Sequence, residues 1–324
     1  MLTLRFDFRL KPGSESTMQE MYSTALDICQ WGERNNALIA MFSEHHSSSD
    51  GYLPSPIIMA AAAAARTETL TFNVGALLLL MYDPIKLAED IAVIDHLSGG
   101  RVSYTIGLGY REEEYEMFGV ETKRRGKEIE ERITALRRAL SGEAFEWRGR
   151  RIHVQPKPAS AGSPIIAYGG GSKAAAERAA RLGMMFFPQT ADPMMAVFYD
   201  EEAERVGNPP GLTMAPTKGA PTTVFVAESL DDGWEQFGPY MLHDAVSYRG
   251  WMGEDNNSAS LSQASSIDEL RSENGPYRIV TPKQAIKLIK AYQTLSLQPL
   301  CGGVPPDLAW SSLSLIEKKV LPFC

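Results

Sequence analysis

The stretch Leu70-Thr71-Phe72-Asn73-Val74-Gly75-Ala76-Leu77-Leu78-Leu79-Leu80 is followed by Asp83-Pro84 and closes at Ser98-Gly99-Gly100-Arg101. A β-rich run gives way to a helix with Asp83 as cap and Pro84 in the first turn. Ile85, Leu87, Ala88, Ile91, Ile94 and Leu97 fall on one face, and the paired glycines stop it. Arg101 opens the next strand at once. The same unit repeats along the chain, with β-rich runs at Leu2–Phe8, Ala37–Ser43, Leu70–Leu80, Arg101–Gly107, Pro164–Tyr168, Gly183–Phe187, Thr222–Ala227 and Leu297–Cys301, each followed by a helical stretch. Eight βα units predict an α/β fold, a (β/α)8 TIM barrel with inserted segments built from residues 1–324 as one domain. One insertion, 143–163, holds the run Phe145–Val154, which reads as a small hairpin carrying Arg148, Arg150 and Arg151 on a solvated turn, and then a Pro156/Pro158/Gly162 loop. The other, 253–275, is rich in Ser, Asn, Asp and Glu and predicts a polar loop of the length used for mobile lids. Ser55-Pro56 starts a helix through Ala60–Ala65, a packing surface.

Composition narrows the function. With 324 residues, 44% of them hydrophobic and 22% charged, the chain buries a large core and is not disordered. The 32 basic and 40 acidic residues leave a net charge of −8, which argues against nucleic acid and against an anionic membrane surface as partners. The longest apolar run, Gly75–Met81, is far shorter than the ~20 residues that span a bilayer. Charges interrupt the apolar residues of Met1–Arg9, so no signal peptide is expected and the cytoplasm is the expected location. Cys29, Cys301 and Cys324 show no disulfide or metal spacing and read as plain thiols.

A parallel barrel puts its chemistry where strands end. The second strand ends at Phe42-Ser43-Glu44-His45-His46, and because strand neighbours point to opposite sides, one histidine at most faces the barrel mouth. An imidazole there suits proton transfer near neutrality, with Glu44 able to orient or charge-balance its neighbour. The five histidines, His45, His46, His96, His153 and His243, make no metal-binding spacing, so no metal is expected. After the fourth strand, Gly107-Leu108-Gly109-Tyr110 lets a flat ligand approach the backbone, or simply makes a tight turn. After the fifth, Gly169-Gly170-Gly171-Ser172 leads into an alanine-rich helix, so free amides and the positive end of the helix dipole converge as a phosphate cradle. Gly169, Gly171 and Ala174 also satisfy a loose dinucleotide pattern. That reading ranks second, because the following strand ends Phe186-Phe187-Pro188-Gln189 without the acidic ribose ligand.

Glu44-His45-His46, the passage from Asp83-Pro84 through Asp95-His96-Leu97-Ser98-Gly99-Gly100-Arg101, Gly107-Leu108-Gly109-Tyr110 with Phe118-Gly119-Val120, and Gly169–Ser172 with Glu177–Gly183 together resemble the bacterial luciferase-like flavin monooxygenases. The resemblance is best over residues 1 to about 205. It implies a barrel that binds reduced FMN, or in some branches the deazaflavin coenzyme F-420, forms dimers or larger homo-oligomers, and receives its reductant from a flavin reductase. It implies use of O2 as co-substrate, one oxygen atom passing to a small organic substrate and the other leaving as water. His45 matches the family's catalytic histidine, with Glu44 in support, and Gly75-Ala76 the site of an often cis peptide beneath the flavin ring. Gly107, Gly109 and Tyr110 fall beside the flavin, Gly169, Gly170, Gly171 and Ser172 at its phosphate, and 253–275 at the mobile lid. Gly107 replaces the luciferase's cysteine and Leu108 the arginine that follows it.

Three other readings stay open: deazaflavin-dependent hydride transfer on the same barrel, a non-catalytic flavin-binding protein, and a nicotinamide-only dehydrogenase. Tyr240, His243, Tyr248, Arg249 and Trp251 cluster before the lid as pocket candidates, and Gly302-Gly303 in the final turn as a place where a ligand nears the barrel rim.

Overall fold

The computed structural model describes residues 1–161, 164–253 and 257–324; Gly162 of the expected loop and residues 254–256 of the expected lid lie outside the described residues. In chain order, β1 (Leu2–Phe6) leads to α1 (Met18–Arg34), β2 (Ala37–Phe42) to α2 (Pro56–Ala65), β3 (Thr71–Leu78) to α3 (Pro84–Ser98), and β4 (Val102–Gly107) to α4 (Glu112–Phe118) and α5 (Arg125–Leu140). Strands β5 (Phe145–Trp147) and β6 (Arg150–Ile152) form the hairpin. Then come β7 (Ile166–Gly170), α6 (Lys173–Arg181), β8 (Phe186–Pro188), α7 (Met194–Val206), β9 (Thr223–Val226) and α8 (Leu230–Met252). The chain ends with α9 (Ile267–Glu273), β10 (Tyr277–Val280), α10 (Pro282–Tyr292), β11 (Leu295–Leu297) and α11 (Pro306–Lys319). Two compact units result, a first of residues 1–54 with 216–324 and a second of residues 55–215.

In the first unit β1 lies between β11 and β2, and β9 pairs with β10, every ladder parallel. Period-two alternation sorts β1: Leu2, Leu4 and Phe6 enter the apolar core, where Phe6 and Phe8 stack on Phe42, while Thr3, Arg5 and then Asp7 take the other face. There Thr3 meets Ser296, and Gln298 gathers Arg5, Asp7 and Thr223 by hydrogen bonds. A capping box of Thr17 and Glu20 starts α1.

In the second unit β3, β4, β7 and β8 form a parallel sheet in that order. Asp83 caps α3 by accepting the amides of Ile85 and Lys86, and Gly99 ends it in the left-handed conformation. The Asp95 to Arg101 passage is a joint. Asp95 accepts the amide and hydroxyl of Ser160 at 2.7 and 2.6 Å, tying the 143–163 insertion to α3. Arg101 donates to the carbonyls of Ser98, Leu70, Ala64 and Thr67 and to the Thr67 hydroxyl, all at 2.7–3.0 Å, so one guanidinium serves carbonyls of α2 and the turns beside it. The hairpin turns at Arg148 and Gly149, both at positive φ. Its arginines are not merely solvated: Arg148 and Arg150 lie over the Trp147 ring and pair with Glu128 and Asp83.

Several elements differ from the sequence reading. Tyr277–Val280 is a strand that was not expected, and the last strand is Leu295–Leu297, with Cys301–Gly303 a short 3-10 turn. The 253–275 segment carries helix α9, capped by Ser266. Leu97, placed on the buried face of α3, is 51% exposed because that face ends at Ile94 and Ser98. Gly302 and Gly303 pack on protein: a Cβ at Gly302 would stand 2.1 Å from the Tyr240 carbonyl oxygen and one at Gly303 2.9 Å from that of Arg9.

Arg101→Ala is expected to destabilise the fold by about 3–5 kcal/mol, since several charge-assisted hydrogen bonds go at once. Arg101→Lys, which loses the fork, should recover less than half of that in urea denaturation. A loss under about 1 kcal/mol for the alanine variant would contradict this role.

Candidate active site

In the second unit the ends of β3, β4 and β7 make a platform of small residues. Gly75 registers with Thr105 and Leu78 with Gly107, with Ala76 bulged between them. The Gly75-Ala76 peptide is cis, as the resemblance implied. Space and not φ constrains these glycines: a Cβ at Gly75 would lie 2.2 Å from Asn73 Oδ1 and at Gly107 2.7 Å from the Ala76 Cβ, and one at Gly169 would press on Thr105 Cγ2 at 3.0 Å. Buried Asn73 pins the platform, donating to Ser103 Oγ at 3.0 Å and accepting from Thr105 Oγ1 at 3.2 Å. Gly109 alone needs its freedom of φ (+83°). The buried Tyr115 hydroxyl, 2.8 Å from both the Leu108 and Gly109 carbonyl oxygens, holds that turn, beside half-buried Tyr110.

Strand β7 runs on through Gly170, so the phosphate turn is shorter than expected. Ser172 caps α6 by accepting the Ala175 amide at 3.2 Å. The amides of Gly171, Ser172 and Lys173 donate to no acceptor among the described residues. Gly170 lets the helix sit close, since a Cβ there would be 2.6 Å from that of Ala175. The helix is held by Arg178, which donates to Tyr168 Oη and Glu130, and by Arg181, which bridges Glu130 and Glu202.

In the first unit Glu44, His45 and His46 are all buried just beyond β2. The Glu44 carboxylate lies 2.7 Å from His46 Nε2. The His45 ring packs against Tyr52 and Trp251 at 4.8 and 4.9 Å, with Tyr248 at 6.2 Å. Behind these rings is Arg9, fully buried, its guanidinium 4.6–5.3 Å from Tyr52, Tyr248 and Trp251. Arg9 bonds Asp244 at 2.9 Å and approaches Asp50 at 3.1 Å and Asp7 at 3.9 Å. Asp50 also meets His243 at 3.0 Å, and Asp244 accepts from Tyr277 at 2.7 Å.

Of the five pocket candidates, Tyr248 and Trp251 reach His45, whereas His243 is committed to Asp50 and Tyr240 lies under Lys11. Arg249 grips the Gln263 and Ala264 carbonyls and Ser265 Oγ, fastening the 253–275 segment to α8. Asn73, Thr105, Tyr115, Arg9 and Tyr52 went unread in the sequence as site residues. For Arg9 a signal existed, the charges that alternate with Leu4, Phe6 and Phe8. Among the described residues, no three His, Cys, Asp or Glu side chains gather as a metal site, and no helix is long and apolar enough to cross a membrane.

The fold is that of known luciferase-like barrels. The structure is similar to monooxygenase RslO1 from Streptomyces bottropensis (TM-score 0.74, 21% identity, 99% of both chains). It is also similar to the oxygenating constituent of 3,6-diketocamphane monooxygenase from Pseudomonas putida, solved in complex with FMN (TM-score 0.73, 20% identity, 99% of this chain and 97% of that one). The luciferase-like monooxygenase family model matches residues 5–298, and the chain belongs to that family. Among curated relatives, the oxygenase component of the flavin-dependent trigonelline monooxygenase of Acinetobacter baylyi is 28% identical over 153 residues, 47% of this chain and 42% of that protein. Limonene 1,2-monooxygenase of Rhodococcus erythropolis is 30% identical over 120 residues, 35% and 31% of the two. The chain spans less than half the length of these curated relatives.

Charge in the first unit is finely set. Burial pushes the Asp7 carboxyl up from its usual 3.8 to about 8, the nearby Asp244 adding to the shift against the opposing pull of Arg9. Asp50, despite burial, is held down at about 2 by hydrogen bonds from His243 and Ser48 and by the Arg9 charge. Because the folded value of Asp7 is raised, its contribution to stability is full below about pH 4 and is lost as pH rises toward 8. Asp7→Asn, which mimics the protonated acid, should therefore gain on the wild type steadily from pH 4 to pH 8 in chemical denaturation. A difference independent of pH would contradict a protonated Asp7.

Proposed function

We propose that this chain is the oxygenating component of a flavin-dependent monooxygenase, which takes reduced FMN from a separate flavin reductase in the cytoplasm and uses O2 to oxygenate a small organic substrate. The observation that carries this reading is the second unit's platform of bare strand-end backbone beside unbonded amides at the start of α6. It suits a flat ring and a phosphate, and an acidic chain can attract that anion locally in this way. Gly75, Ala76, Gly107, Gly109 and Tyr110 would hold the ring system, and Gly169, Gly170, Gly171 and Ser172 the phosphate. Bound reduced FMN supplies the electron pair that activates oxygen. A neighbour of the same fold solved with FMN and a flavin-dependent relative support the choice of cofactor.

The chain's own residues do the rest. His45 moves a proton at an imidazole nitrogen, in a site from which Tyr52, Tyr248 and Trp251 exclude water. Glu44 fixes His46 and so the turn that carries His45. The 253–275 segment acts as the lid, its α9 and Arg249 grip giving it a defined closed form. The chain works as a homodimer through the α2–α3 face, where Ile58, Val93 and Leu97 are 68%, 55% and 51% exposed around a groove of about 480 Å3. Sedimentation should give twice the chain mass, and Ile58→Asp the single mass; a wild-type monomer would contradict the dimer.

Anaerobic titration with reduced FMN and with reduced coenzyme F-420, followed by admission of O2, tests the cofactor. Preference for FMN with oxygen consumption is expected. Preference for F-420 without oxygen consumption would favour hydride transfer, and FMN held without any substrate-dependent oxidation would favour a binding protein. With a substrate in hand, His45→Ala should lower turnover by roughly 10²–10⁴ while FMN affinity stays within about twofold. Unchanged turnover would remove His45 from the chemistry.

A further inference from the structure

The first unit holds a pair of phenols that the proposed proton transfer does not use. Tyr52 Oη and Tyr248 Oη stand 2.6 Å apart. Each oxygen carries one hydrogen, and only one hydrogen can lie between them. The other O–H has no acceptor among the described residues. Tyr52 is 3% exposed and Tyr248 half-buried, so Tyr248 is the hydroxyl within a ligand's reach.

The surroundings say what kind of ligand. Trp251 lies 5.6 and 5.9 Å from the Tyr248 and Tyr52 rings, and His45 packs on Tyr52, so the free O–H emerges from an aromatic wall. Arg9 behind the wall is a cation, yet Asp50 and Asp244 contact it directly and Asp7 stands nearby, so the wall offers a hydrogen-bond donor with no surplus positive charge. Arg5, the other cation facing these phenols, brings the balance with Asp50 and Asp244 to about even, so a carboxylate or phosphate would meet no uncompensated cation there. A neutral oxygen on an apolar body meets a donor and rings. Burial pushes both phenols up, Tyr248 to about 12, so the donor keeps its proton throughout the physiological range.

We infer that Tyr248, its direction fixed by a hydrogen bond from Tyr52, anchors the organic substrate by donating to a neutral carbonyl oxygen. This makes the pair a specificity determinant, selecting apolar molecules that carry such an oxygen over plain hydrocarbons. The inference rests on the monooxygenase reading in taking the His45 surroundings as the substrate's place.

The test uses the full chain with FMN bound and a panel of ketones from cyclohexanone to 2-undecanone, each paired with the analogue in which a methylene group replaces the oxygen. Dissociation constants are measured for wild type, Tyr52→Phe and Tyr248→Phe, which keep both rings and their packing, with thermal midpoints as a check on folding. One or more ketones should bind about 10-fold tighter than their methylene partners, the worth of one well-placed hydrogen bond. Tyr248→Phe should abolish that preference and Tyr52→Phe weaken it severalfold, with FMN affinity unchanged in both. Equal binding of ketone and methylene partners, a preference that survives Tyr248→Phe, or a panel in which no ketone binds would overturn the anchor. A chain that shows the preference but neither binds FMN nor consumes O2 would overturn the monooxygenase reading and leave the anchor standing.

Discussion

No Cβ fits at Gly75, Gly107 or Gly170 without a shift of their neighbours, one at Gly169 is tight, and the second unit is arranged around that constraint. Where a side chain would project, a neighbour already stands: Asn73, Ala76, Thr105 or Ala175. The strand ends lock into one another and present backbone. Asn73, Thr105 and Ser103 then serve as the hydrogen-bonded underside of the platform, and the alanine face of α6 lets the helix start close against β7. Tyr115 and Arg178 hold the flanking turn and helix from outside. Under the proposed function a flat polar cofactor with a phosphate is the ligand this surface takes, and the same geometry then joins packing to function.

The first unit answers to a different constraint, a buried cation. Arg9 has lost its water, and the Asp50 and Asp244 carboxylates, the Asp7 carboxyl group and three aromatic rings replace it. The same rings enclose His45. Tyr248 and Trp251 come from the end of α8, whose Arg249 grips residues 263–265, so the rings around His45 and that stretch are fastened to the same helix.

Much of this was legible in the sequence. The repeat of strand and helix, the Asp83 cap, the hairpin within Phe145–Val154 and the Ser172 cap depend on neighbours close in the chain, and local chemistry announces them, whereas the cis peptide at Gly75-Ala76 was implied by the family resemblance alone. What was missed depends on distance or on brevity. Tyr277–Val280 is four residues between Gly275-Pro276 and Thr281-Pro282, too short to stand out from the polar segment before it. Helix α9 had a signal, the spacing of Ser266 and Glu269, but within a run of serines. The contact of Tyr52 with Tyr248 joins residues 196 positions apart, and nothing local encodes it. Glu44 meets His46, two residues on, because residues at that spacing in extended chain share a side.

We propose that the glycine platform and the α6 amides hold FMN. The crystal structure of the FMN complex tests it most directly. The phosphate is expected within hydrogen-bond distance of the Gly171, Ser172 and Lys173 amides, with the ring system against Gly75-Ala76 and Gly107. FMN bound elsewhere on the chain, with those amides and glycines untouched, would contradict it.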